Sequence, residues 1–117
     1  MILNREQTHF RFIMHLIESM ATFAQIIEDK DLLLVDFSAE WCGPCKMMPP
    51  ILQEVKKKIG NEITIIKMDV DGNPQTASQY GIQSVPTLIL FQKGKVVWRQ
   101  SGVIQAGQLE LIIRRFL

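Results

Sequence analysis

Residues 32–45 read LLLVDFSAEWCGPC, and they hold both cysteines of the chain, Cys42 and Cys45. The run from Leu32 to Ala39 sends apolar side chains to both strand faces, with Asp36 as the odd member, which is how a central strand covered by helices on each side reads. Beyond the cysteines, Met48, Ile51, Leu52, Val55 and Ile59 recur at steps of three and four, the apolar stripe of a helix, and Gly60-Asn61 supplies its stop. Pro49 and Pro50 are expected to kink or thin that helix. A strand, a Cys-x-x-Cys and a helix therefore follow one another within thirty residues.

Outward from this unit, EITIIKMDV (62–70) is rich in β-branched residues and predicts a second interior strand. Asn73 offers a helix N-cap and Pro74 a first helical position, with Gly81 closing the short helix they open. PTLILF (86–91) and KVVWRQ (95–100) flank QKGK, a hairpin signal with Gly94 in the turn. Leu109, Ile112, Ile113 and Phe116 form the apolar face of a C-terminal helix. Upstream, FRFIMHL (10–16) reads as an edge strand and residues 22–28 as helical, with Phe23, Ile26 and Ile27 on one side. The order predicts an α/β fold with a mixed central sheet of four to five strands flanked by helices on both faces. Residues 1–10 are expected to be an extension and 11–117 a single domain.

The 117 residues, 47% hydrophobic and 21% charged, suffice for one real core. A formal net charge of +1, with signs mixed along the chain, makes no electrostatic case for nucleic acid. Lys56-Lys57-Lys58, the one basic cluster, reads as the solvated face of a helix. No apolar stretch reaches about 18 residues, so membrane insertion is not expected. The start mixes Arg, Glu, Gln and His into its apolar residues and lacks the apolar core of an export signal.

Three employments compete for the cysteines. A structural zinc site wants four ligands, and the other soft candidates, His9 and His15, lie far upstream and off helical spacing. A structural disulfide closing a loop with two intervening residues removes little unfolded-state entropy. A thiol–disulfide exchange site fits better. Pro44 suits the first turn of the following helix, so Cys42 stands at or just before a helix N-terminus, where free N–H groups and the macrodipole stabilise a thiolate. Cys45, one turn along, is placed to resolve. Asp36, buried in an apolar strand, is expected to have a raised pKa and to trade protons near neutrality.

The series VDFSAEWCGPCKM, PIL, KMDVDGNP, YGIQSVPTLILFQKGK and the late GQL, in that order from Leu32 to the C-terminus, resembles the thioredoxin family. The resemblance implies the thioredoxin fold and a protein-disulfide reductase with Cys42 as nucleophile and Cys45 as resolving thiol. It implies that Asp36 takes the proton of Cys45, and that Lys67 is a buried charge partner of Asp36. It further implies a cis bond at Val85-Pro86, and a substrate-docking collar of Trp41, Gly43, Pro44, Val85, Pro86 and Gly102. Read by themselves, Trp41 keeps the lesser alternative of a core aromatic and Lys67 that of an outward-pointing strand lysine.

The sequence departs from the family pattern at Ser38, where an aromatic residue is usual, and at Ser84, where a glycine commonly precedes the Val/Ile-Pro pair. No cofactor beyond the redox-active Cys42–Cys45 disulfide and no metal are expected. The implied partners are disulfide-containing protein substrates and a thioredoxin reductase or a membrane electron donor. A cytoplasmic monomer is expected, or an envelope protein if an export signal has been removed from a precursor. An oxidase or isomerase, or a binding subunit with incidental chemistry, are the competing functions.

Overall fold

A computed structural model describes residues 22–117. The expected extension at 1–10, the strand at 10–16, and His9 and His15 lie outside the described residues. The chain is helical at 22–29 (α1), then forms β1 (Leu32–Ser38) and a 3-10 turn (Pro44–Met47) that leads straight into α2 (Met48–Ile59). Next come a short 3-10 turn (Gly60–Glu62), β2 (Thr64–Asp69), α3 (Pro74–Gln79), β3 (Thr87–Gln92), β4 (Lys95–Ser101) and α4 (Ala106–Arg114).

Among the described residues the sheet has four strands in the order β2-β1-β3-β4. β1 runs parallel to β2 and antiparallel to β3, and β3 pairs antiparallel with β4, so the sheet is mixed as expected. All seven residues of β1 are buried, and alternation divides them between two cores. Leu32 and Leu34 meet Met48, Leu52 and Val55 of α2 and Leu109 and Ile113 of α4 on one face. Leu33, Val35 and Phe37 meet Phe23 and Ile27 of α1 on the other, with Ile89 and Phe91 of β3. Tyr80, just past α3, sets its ring edge-on to those of Phe23 and Phe91, with centroids 6.0 and 5.4 Å away. Each side chain removed from water in this way contributes about 1.5–3 kcal/mol.

Four local expectations are corrected. Pro49 and Pro50 do not kink α2; they lie in its first turn, where a missing N–H costs nothing, and so mark the passage from 3-10 to α geometry. β2 begins at Thr64, is half-buried, and is paired with β1 alone among the described residues. Asn73 occupies the N-cap position of α3 without capping it, because its side-chain amide donates backwards to the Asp69 carbonyl (3.0 Å). Lys56 is not fully solvated, since its ammonium donates to the Ile63 carbonyl and ties α2 to the entrance of β2.

The hairpin behaves as QKGK predicts. Lys93 (φ 49°) and Gly94 (φ 85°) both have positive φ, the two-residue turn whose twist matches antiparallel strands, and glycine takes the position without a Cβ penalty. Leu34 has no exposed surface and packs in the core that β1 shares with α2 and α4. Leu34→Ala should destabilise the fold by about 3 kcal/mol, read as a lower urea midpoint at unchanged slope.

Candidate active site

Cys42 and Cys45 are joined by a disulfide, with Cα atoms 5.3 Å apart. β1 delivers the chain to this loop, and the amide of Cys42 bonds back to the Ala39 carbonyl (3.2 Å), turning it out of the sheet. Gly43 and Pro44 then start the 3-10 turn, so Cys42 precedes the helical segment as anticipated, although the first turn is 3-10 and not α. The Cys45 amide N–H points at Cys42 Sγ (3.1 Å). That donor faces the sulfur that would carry the negative charge of a thiolate and favours the charged form. The two cysteines are almost equally buried (4% and 3% exposed), so exposure does not distinguish them. Their neighbours do: Cys42 Sγ lies 3.6 Å from the Val85 carbonyl oxygen, whereas Cys45 lines a cavity of about 410 Å³ with Ala39, Glu40, Lys46, Pro49 and Lys67.

Asp36 is wholly buried, and neither carboxylate oxygen has a hydrogen-bond partner. Burial pushes its pKa up to about 6, while the Lys67 ammonium pulls the other way. Asp36 and Lys67 are register partners in parallel strands, so both side chains leave the sheet on the α2 face. The expectation that Lys67 is buried fails: it is exposed, because β2 lies beyond β1 at the margin of that face and the site cavity opens over it. A charge partner seen through solvent explains why its pull does not cancel the effect of burial.

The Val85-Pro86 bond is cis. Two sets of bonds hold it: the Gly102 N–H donates to the Pro86 carbonyl (2.8 Å), and the Thr87 hydroxyl donates to the Ser84 carbonyl (2.7 Å) while sharing a bond with Ser101 Oγ (3.0 Å). Gly102 has φ 89°, a conformation that disfavours any side chain, so glycine is required there by its backbone. Ser84 is not among the positive-φ residues, which is why serine can replace glycine there.

Trp41 is 72% exposed and is not a core residue. Its indole N–H donates to Asp71 (2.7 Å), which fixes the ring beside a shallow groove of about 210 Å³ lined by Trp41, Val70, Ile82, Gln83, Ser84 and Val85. Gly43 and Pro44 are exposed next to it. The structure thus brings Trp41, Val85 and the cysteine loop together and places Asp36 with Lys67 on the α2 face of the sheet. Sequence reasoning missed Asp71 and Thr87, although both lie in the segments KMDVDGNP and YGIQSVPTLILFQKGK.

A protein-family model described as thioredoxin matches residues 14–115. The chain is 48% identical to a thioredoxin of Alicyclobacillus acidocaldarius over 77% of its own length and 86% of that protein. It is 40% identical to a thioredoxin of Haemophilus influenzae over 83% and 92%. Among solved structures, the oxidised mitochondrial thioredoxin 3 of Saccharomyces cerevisiae superposes with a TM-score of 0.75 at 32% identity, covering 82% of this chain and 89% of the other.

The buried carboxyl makes a stability prediction. With its pKa raised to about 6 in the folded state, Asp36 binds its proton more tightly when native than when unfolded, so it penalises folding progressively above about pH 4 and fully near pH 7. Relative to the parent, Asp36→Asn should therefore gain about 2 kcal/mol of stability between pH 4 and pH 7.5, measured by urea denaturation of the oxidised protein. A pH-independent difference would mean that Asp36 titrates normally.

Proposed function

This chain belongs to the thioredoxin family and is a thiol–disulfide oxidoreductase, and we propose that it works as a protein-disulfide reductase in which Cys42 attacks and Cys45 resolves. The reading rests above all on the Cys45 N–H directed at Cys42 Sγ. In the reduced protein the Cys42 thiolate attacks one sulfur of a substrate disulfide, forming a mixed disulfide and expelling the first substrate thiolate. Cys45 then gives its proton to the Asp36 carboxylate, and its sulfur attacks Cys42 Sγ. The mixed bond breaks, the second substrate thiolate leaves and takes up a proton, and two electrons have passed to the substrate, leaving the Cys42–Cys45 disulfide.

Each remaining assignment has its support. A base must be able to hold a proton near neutrality, and the raised pKa of Asp36 suits it to that task, with Lys67 keeping the carboxylate accessible by its charge. The docking collar is Trp41, Gly43, Pro44, Val85, Pro86 and Gly102. Gly43 has an ordinary helical φ of −60° and a Cβ there would meet nothing within 4 Å, so glycine serves the approach of a partner and not the fold. Pro86 has no N–H to compete for the sulfurs, and Gly102 secures it through its carbonyl. The substrates are disulfide-bearing proteins, and a thioredoxin reductase or a membrane electron donor returns the electrons. The dithiol is the sole redox group and no metal takes part. The active unit is a monomeric domain of residues 11–117 with a short extension before it, placed in the cytoplasm unless an export signal on a precursor carries it to the envelope.

Two measurements test this reading. Cys45→Ser should accumulate mixed disulfides on Cys42 when offered oxidised protein substrates, whereas Cys42→Ser should neither trap nor reduce them. Equilibration with glutathione should find the Cys42–Cys45 bond clearly harder to reduce than that of glutathione disulfide; a bond equally easy to reduce points to an oxidase or isomerase, and full biological activity of Cys45→Ser points to a binding subunit.

A further inference from the structure

Among the described residues, three buried side-chain polar atoms lack a hydrogen-bond partner: both carboxylate oxygens of Asp36 and Oγ of Ser38. The two residues are 0% and 1% exposed and lie two apart on β1, so they leave the strand on the same face, beneath α2 and the cysteine loop. Native interiors seldom leave such atoms unpaired, because each orphan costs about 1–3 kcal/mol. These orphans are complementary. A carboxylate accepts only, and a hydroxyl has one proton to give.

Nothing else nearby claims that hydroxyl. Ser38 uses its backbone carbonyl to accept from the Val70 N–H (2.9 Å), and its register partner Asp69 is exposed and occupied by the Gly72 N–H (3.0 Å). Asp36 has Lys67 of β2 and the uncharged Leu88 of β3 as register partners, and the core on its face of β1 is built from apolar residues of α2 and α4, Met48, Leu52 and Leu109 among them. Among the described residues, the Lys67 ammonium is the charge that lowers the carboxyl's pKa against the effect of burial. Side chains two apart on a strand originate about 6–7 Å from each other, within reach of a hydrogen bond through a single bridging water. Where the family usually has an aromatic side chain, serine supplies both the donor and the room.

We propose that Ser38 is a positioning residue for Asp36, its hydroxyl donating to the carboxylate through one internal water and so holding it ionised to receive the Cys45 proton. The inference rests on the reading of Asp36 as proton acceptor and extends it to a residue that touches neither sulfur. A donor to the charged form stabilises it more than a donor to the neutral acid, so removing the hydroxyl raises the carboxyl pKa.

The test titrates the Asp36 carboxyl by carbon-13 NMR in the oxidised parent, Ser38→Ala and Ser38→Thr, and follows by stopped flow the second thiolate released from a chromogenic aromatic disulfide by the reduced proteins. Ser38→Ala should shift the titration upward by about one unit, and threonine, which keeps the hydroxyl, should restore it. The second phase of Ser38→Ala should be about fivefold slower near pH 6 and unchanged near pH 8. An unshifted titration in Ser38→Ala, or a slowing equal at all pH values, overturns the role of Ser38. If instead Asp36→Asn keeps the parental pH profile of the second phase, the proton-acceptor reading of Asp36 fails and takes this inference with it.

Discussion

Everything in this molecule depends on β1 being removed from water along its whole length while carrying a carboxyl group. Seven consecutive buried residues give the sheet its centre and divide the hydrophobic core between two helical layers. The same burial withholds solvent from Asp36, and desolvation is the leading cause of its raised pKa. Fold and proton chemistry are thus one constraint. A strand exposed on either side would make a weaker core and an ordinary acid.

The two sulfurs differ by what the rest of the chain brings to them. Cys42 stands beside the Val85 carbonyl, under a loop anchored by Gly102, Thr87 and Ser101. Cys45 shares a cavity with Lys67, on the face of the sheet that holds Asp36. The two sulfurs of this four-residue loop therefore have different surroundings, the Val85 carbonyl at Cys42 and the Lys67-lined cavity at Cys45. The equal burial of the two cysteines shows why solvent exposure alone is a poor guide to which thiol attacks.

Much of this was legible in the residues themselves. β1 announced itself because both faces of LLLVDFSA are apolar, α2 because its stripe is strictly periodic, and the hairpin because QKGK offers a glycine where positive φ is needed. What escaped were properties that arise between strands. The alternation of β2 sends Lys67 to the α2 face, but it says nothing of whether a helix covers it, and none does. Asn73 carries the right side chain for a cap, yet its side chain is turned back so that its amide donates to the Asp69 carbonyl, and it makes no capping bond. Trp41 lies outside the core as the family resemblance implies, but its bond to Asp71, thirty positions away, had no signal in the local sequence. Ser38 was legible as a departure beside Asp36, and that both are buried and unpartnered is visible only in the fold.

The Lys93–Gly94 turn has a meaning beyond its backbone geometry. It sits where β3 leaves the level of Leu32, against the Asp31 carbonyl, at the end of the sheet opposite the cysteine loop. Leu117 and Phe116 line a surface hollow with Asp31 and Lys93 at that same end. The molecule is therefore polar in the mechanical sense, with a working tip and a handle. A group attached at that hollow stands at the far end of the sheet from the cysteine loop.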